Sequence, residues 1–402
     1  MIFESLLDTD VYKFKMLQWI LKHHKNVEVE WEFINRSSVD IFSMIDKGLL
    51  REELQGCRQL YFTDNDINYL RSLKIYREWF LEFLKSFKLP EFQLEDNTIR
   101  IISTAPYASL WETFVLGIVS ELYNRELSKN INPNQIRAIA RTALLVKLYD
   151  LSCISGIQVT DFGGRRRFSR ENQDDLLHNS IDSATKKIIH YNPIVATSNV
   201  FFARKYNLPV VGTMAHECDL LKQGCCDTDE ELLRSPYTVM DEWERLYNYD
   251  HRVCLPDTYG SHYVIDNMPD EKFWNWQGFR WDSGDSDCFT NQILCRYNRL
   301  DIISTDHLIT YSDNLNVPLM LHLYEKYNKY IDTPFGWGGN FTNDIPGISK
   351  PISMVMKLVK SNGRDVAKLS DNRKKATGKA EVVEHLKQIF HYDVNYNYDP
   401  TY

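Results

Sequence analysis

The chain has no excess of positive charge: 47 Lys and Arg stand against 55 Asp and Glu in 402 residues, a formal net charge of -8. Without an overall positive field to attract phosphate backbones, general nucleic-acid affinity is excluded, and a polyanionic substrate must be met by local basic residues. Long apolar runs are also missing. The most apolar helical stretches, 113–123 and 138–151, are interrupted by Glu121 or by Arg141 and Lys147, well short of the roughly 20 apolar residues of a membrane span. The first ten residues carry Glu4, Asp8 and Asp10 where a secretory signal would need a basic region and an apolar stretch, so secretion is not expected. None of the eight cysteines shows C-x-x-C spacing, and the adjacent Cys225 and Cys226 are a poor zinc pattern. Reduced thiols and a cytoplasmic location are the expectation. Proline is scarce at 13 residues, while 23 Tyr, 20 Phe and 9 Trp exclude extended disorder.

Two textures follow one another along the chain. Asp10 is placed to cap a helix in which Val11, Phe14, Leu17, Ile20 and Leu21 share one face. Val27 to Phe33 alternates strictly, the pattern of an antiparallel strand with one wet face. Residues 40–95 read as helices and Thr98 to Ser103 as a further strand, giving an α+β domain over 1–135. From Gln135 a long amphipathic helix leads into short apolar runs separated by helical stretches, the signature of parallel strands with crossover helices. Seven candidate strand ends result: Asp161–Arg165, Val195–Asn199, Val210–Thr213, Cys254–Thr258, Gly278–Asp282, Leu308–Asp313 and Thr333–Gly339. Seven units approach the eight of a barrel, whose chemistry gathers at the C-terminal strand ends.

Polar residues stand at these ends. The run Leu208–Val211 reads as a buried strand leading through Gly212-Thr213-Met214-Ala215 to His216 and Glu217. Imidazole titrates near neutrality and can give its two nitrogens different partners, although a His-Glu pair taken alone is more often structural. In Phe162-Gly163-Gly164-Arg165-Arg166-Arg167 an aromatic ring and a flexible turn precede three guanidinium groups. Arginine forks suit carboxylate and phosphate; a solvated helix start is the competing reading. In Arg280-Trp281-Asp282-Ser283-Gly284-Asp285 the alternate side chains Arg280 and Asp282 share a strand face. Asp282 and Asp285 have the chemistry for ribose hydroxyls or a magnesium ion, or form a turn that caps the next helix. Asp313 and the turn Gly338-Gly339 end the last two strands, where barrels often bind phosphate. Neither a G-x-x-x-x-G-K-[ST] loop nor a G-x-G-x-x-G opening a first βα unit is present, and no second histidine completes H-E-x-x-H, which weakens a metal-hydrolase reading of His216 and Glu217.

Taken in order, Leu7-Asp8-Thr9-Asp10-Val11-Tyr12-Lys13, the Phe162–Arg167 run, Thr197-Ser198-Asn199, Gly212–Glu217, Arg280–Asp285, Tyr311-Ser312-Asp313 and Phe341-Thr342-Asn343-Asp344 resemble the nicotinate phosphoribosyltransferase family. The resemblance spans nearly the whole chain. It implies an irregular or incomplete α/β barrel (136–355) beside an α+β open-faced sandwich domain, with a C-terminal segment (356–402) packing back on the N-terminal domain. It also implies the reaction: nicotinate and 5-phosphoribosyl 1-pyrophosphate give nicotinate mononucleotide and pyrophosphate, ATP hydrolysis assisting, in NAD salvage by the Preiss-Handler route.

The resemblance assigns parts as well. His216 becomes the residue phosphorylated by ATP, with Glu217 orienting its imidazole. Phe162 stacks on the pyridine, and Tyr12 of a neighbouring subunit covers the other face, making a homodimer. Arg165 and Arg280 hold the nicotinate carboxylate and the pyrophosphate or ribose side, in an order left open. Asp282, or Asp257, meets ribose hydroxyls or magnesium; Gly338, Gly339 and Asp313 shape the 5'-phosphate site; Mg2+ accompanies the phosphate substrates. Thr197-Ser198-Asn199 stands where nicotinamide-using relatives carry an aspartate, which favours an acidic ring. The sequence departs from the family at Gly164, Cys218 and Trp337-Gly338-Gly339. A nicotinamide phosphoribosyltransferase and a catalytically silent regulatory paralogue are the alternatives; the retention of His216, Arg280 and Asp282 speaks against the second.

Overall fold

A computed structural model describes residues 1–398 of the chain. Eleven strands fall into two sheets: β1 (Glu28–Asn35), β2 (Gln93–Leu94), β3 (Ile99–Thr104), β4 (Val159–Asp161), β5 (Ile194–Thr197), β6 (Val253–Cys254), β7 (Gly278–Trp281), β8 (Leu308–Tyr311), β9 (Phe335–Trp337), β10 (Met354–Ser361) and β11 (Arg364–Asp365). The first sheet is antiparallel with order β11-β10-β1-β3-β2. In β1 the alternate residues Val29, Trp31 and Phe33 are buried, as the alternation in sequence requires. β10, from the far end of the chain, pairs along the length of β1. The joints drawn at 135 and 355 each fall just inside an element, a helix starting at Pro133 and β10 starting at Met354, and residues 399–402 of the C-terminal segment lie outside the described part.

The second sheet is parallel with order β5-β4-β9-β8-β7-β6 and does not close. This is the irregular α/β barrel beside an α+β layer. The expected strand through Leu208–Val211 shrinks to one parallel bridge, Thr197 to Val210, and does not end on His216. Gly212 is drawn onto the helix α1 (Val11–His23): a Cβ there would lie 2.8 Å from a Val11 methyl, and Lys15 Nζ donates to the Gly212 carbonyl at 2.7 Å. The backbone therefore leaves the sheet, and His216 instead opens a new helix.

α1 itself departs from a one-faced amphipathic helix. Every residue from Val11 to Ile20 is buried, including Lys13, Lys15 and Gln18, because the helix is enclosed between the two sheets' domains. Asp10 begins it without a side-chain cap; its carboxylate accepts from Ser198 Oγ instead. The remaining helices used below are α2 (Trp111–Ser128), α3 (Pro133–Ser152), α4 (Glu217–Gly224) and α5 (Ser286–Arg299). No helix among the described residues is long and apolar enough to cross a membrane.

Candidate active site

Parallel strands deliver their following loops to one side, and here the ends of β4, β7, β8 and β9 meet Trp31 of β1 and Lys357 of β10 around one pocket. Six cationic side chains line it, four arginines (Arg36, Arg165, Arg166 and Arg280) with Lys368 and Lys375, together with Lys357, whose pKa burial lowers to about 7, against the carboxylates of Glu112, Glu217, Asp282 and Asp313. The net balance suits an anionic ligand that the acidic chain as a whole would repel.

His216 caps α4 and lies on the pocket wall. Its Nε2 sits 2.7 Å from Asp257 Oδ1 and 2.8 Å from Lys368 Nζ, and Lys368 donates to Asp257 Oδ2 at 2.8 Å. Ser283 Oγ donates to the same Asp257 oxygen at 2.6 Å. Burial alone would push the Asp257 carboxyl up, but Lys368 and His216 hold it well below the usual carboxylate range. Burial, then the Lys368 charge, lower the His216 pKa to about 4 against the opposing pull of Asp257. The ring is thus neutral near pH 7. In the tautomer with the proton on Nε2, that N–H donates to the ionised Asp257, the Lys368 ammonium beside it gives its protons to Asp257 and not to the ring, and the lone pair lies on Nδ1. Nδ1 has no hydrogen-bond partner among the described residues and is not sealed from solvent.

Glu217 does not orient this imidazole, contrary to expectation. As the first residue of α4 it points the other way, accepting from Lys13 Nζ at 2.8 Å and Ser109 Oγ at 3.0 Å. Asp257, expected as a ribose or magnesium ligand, takes the orienting role.

Arg280, at the end of β7, spends its fork on the protein: Nε donates to Ser312 Oγ (2.8 Å), Nη1 to the Met214 carbonyl (3.1 Å) and Thr213 Oγ1 (3.3 Å), and Nη2 to Asp282 (2.6 Å). Arg165 donates through Nη1 to Glu112 at 2.9 Å, and its Nε lies 3.6 Å from Asp10. Most of the Arg165 donors therefore remain open to the pocket. Phe162 presents its ring beside Arg280, with the guanidinium carbon 5.8 Å from the ring centroid. Gly336 on β9 makes this possible, since a Cβ there would fall 2.4 Å from the ring carbons.

Other expected residues sit elsewhere. Tyr12 is buried within its own chain, its ring 5.6 Å from the Arg165 guanidinium of that chain. Its hydroxyl has no hydrogen-bond partner among the described residues. Thr197 and Ser198 are buried and support the wall from behind, donating to Asp161 and Asp10 respectively, and do not line the pocket. Asp285 is exposed and caps α5 through the Cys288 N–H at 2.8 Å, and it does not line the pocket with Asp282. Gly338 lines the pocket with open space at its Cβ position, whereas Gly339 packs under Pro351. Asp313 lines the pocket and is paired with Lys375.

Models of known families match this chain in two consecutive parts: the N-terminal domain of the nicotinate phosphoribosyltransferase (NAPRTase) family over 7–120, and the NAPRTase family itself over 157–394. The chain belongs to the nicotinate phosphoribosyltransferase family. It is accordingly an enzyme. Solved structures agree with this membership. A nicotinate phosphoribosyltransferase from Vibrio cholerae is 27% identical with a TM-score of 0.87, covering 98% of this chain and 95% of that one. A putative nicotinate phosphoribosyltransferase from Saccharomyces cerevisiae is 26% identical with a TM-score of 0.84, covering 98% and 99%. One from Porphyromonas gingivalis is 27% identical with a TM-score of 0.83, covering 97% and 100%.

Within this family site, sequence reasoning missed Lys368, Lys357, Glu112 and the pocket role of Trp31. Lys357 left a signal, a lone charge in the apolar run Met354-Val-Met-Lys-Leu-Val359 of a strand. Lys368 left none, because it reaches His216 only through the return of the C-terminal segment onto β1.

Proposed function

We propose that this chain joins nicotinate to 5-phosphoribosyl 1-pyrophosphate, releasing pyrophosphate and forming nicotinate mononucleotide for NAD salvage, and that ATP assists by phosphorylating His216. The observation that carries this reading is the neutral His216, tied at Nε2 to Asp257 and open at Nδ1, in a pocket of excess positive charge.

In the ATP step the Nδ1 lone pair attacks the γ-phosphorus, the bond to the β–γ bridging oxygen breaks, and ADP leaves with that electron pair. Nε2–H stays on Asp257, which offsets the positive charge that the ring gains. In the synthetic step the pyridine nitrogen supplies its lone pair to the anomeric carbon as pyrophosphate departs with the bonding pair. Phe162 offers a face for the ring and Arg165 open donors for its carboxylate. Arg280, Lys368 and Lys375 supply charge for phosphoryl oxygens, beside Lys357, whose pKa burial lowers to about 7.

His216, Asp257 and Asp282 bring donor atoms within 4.8 Å of one another. Lys368 already provides the positive charge between the first two, so magnesium would enter as a companion of the phosphates, and Asp282, the carboxylate of the three that lines the pocket, would hold it. Replacing His216 with Ala should abolish labelling of the protein by [γ-32P]ATP and reduce the ATP stimulation of turnover more than about tenfold. Stimulation that survives within a factor of about three contradicts the phosphohistidine step.

A further inference from the structure

A buried chain of charges runs from the first residue of α4 to Arg165. Lys13 Nζ lies 2.8 Å from Glu217 Oε2 and 2.6 Å from Glu112 Oε2, and the other Glu112 oxygen accepts from Arg165 at 2.9 Å. Lys13 is fully enclosed, its ammonium 4.8 Å from the centroid of the Trp31 ring. Four segments contribute: α1, α2, α4 and the loop after β4.

A carboxylate that gripped Arg165 with both oxygens would fix the guanidinium unaided. Glu112 gives it only one. The second oxygen belongs to Lys13, so the plane of the Glu112 carboxylate, and with it the direction of the single bond to Arg165, depends on where the ammonium stands. Lys13 in turn is held by Glu217, itself fixed by Ser109 and by the start of α4. Without the ammonium, two carboxylates would face each other in a dry site and turn apart.

We infer that Lys13 is a positioning residue for nicotinate: acting through Glu112, it aims the open donors of Arg165 at the carboxylate of the pyridine substrate. The inference rests on the function proposed above and gives Glu217 a task that its distance from the His216 ring leaves it without. Lys13 touches no substrate, and its effect falls on binding of the acid ring alone.

Steady-state kinetics on Lys13→Met and Glu112→Gln test it, with the other two substrates saturating. KM for nicotinate rises about tenfold or more in each, kcat falls no more than about threefold, and KM for phosphoribosyl pyrophosphate stays within about twofold. The double variant is no worse than the worse single one, because both changes cut the same chain. Glu112→Gln keeps the side-chain shape and serves where Lys13→Met fails to fold. An unchanged nicotinate KM in Glu112→Gln, or an equal rise in both KM values, overturns the inference. Wild-type protein is assayed first: if it makes no mononucleotide from nicotinate, the proposed function falls and this inference with it, whereas normal wild-type synthesis with unaffected variants removes the inference alone.

Discussion

Four side chains, His216, Lys368, Ser283 and Ser370, converge on one buried carboxylate at Asp257, and their arrangement bears on which nitrogen of His216 is a nucleophile. A carboxylate beside histidine normally favours imidazolium, which has no free lone pair. Burial reverses that, and so does the positive charge of Lys368 2.8 Å from Nε2. The expected result for Asp257→Asn is a fall of about a hundredfold or more in the rate of His216 phosphorylation, read with labelled ATP, because an amide no longer fixes the tautomer. Glu217→Gln should behave differently: phosphorylation within about threefold of wild type, but a loss of stability on the order of 1–3 kcal/mol in denaturant unfolding, because Lys13 loses a charged partner. Similar rates for the two variants would contradict the division of labour between these acids. From the sequence, the acid next to the histidine was the natural orienter. Asp257 stands 41 positions away, and only the folding of β6 and its loop beside α4 brings it into reach.

Helix α1 shows the same limit at the level of an element. Its existence and its apolar positions were legible from spacing, as was β1 from its alternation. That both sides of α1 would be covered was not, since periodicity reports one face and says nothing of a second layer. The cost appears at Lys15, a buried ammonium whose hydrogen bond goes to the Gly212 carbonyl; burial lowers its pKa to about 7. A folded-state value below that of the unfolded chain means that the native protein binds fewer protons between pH 7 and about 10. Stability of the wild type relative to Lys15→Met should therefore rise across that window, by at most about 1.4 kcal/mol per pH unit, and level off below pH 7. Parallel pH–stability curves for the two proteins, measured by denaturant unfolding, would contradict a neutral Lys15. The same contact explains why the strand read at Leu208–Val211 is lost: the Gly212 carbonyl serves α1 and not the sheet.

Across the whole molecule the pocket is a product of two layers. The open parallel sheet supplies Phe162, Arg165, Arg280, Asp282, Ser312 and Gly338 from its strand ends, all legible because parallel strands point their loops one way. The antiparallel layer closes the pocket with Trp31, Lys357 and Lys368, and two of these three lie in a segment that begins more than 300 residues after β1 in the chain. No local pattern encodes such a pairing. It also explains why Tyr12 is buried within its own chain, since α1 is enclosed between these layers. The most direct measurement of the central claim is product analysis after incubating the protein with nicotinate, phosphoribosyl pyrophosphate and magnesium, with and without ATP. Nicotinate mononucleotide should form, faster with ATP, and in preference to nicotinamide mononucleotide when both rings are offered; no nicotinate mononucleotide under either condition, or a preference for nicotinamide, would contradict it.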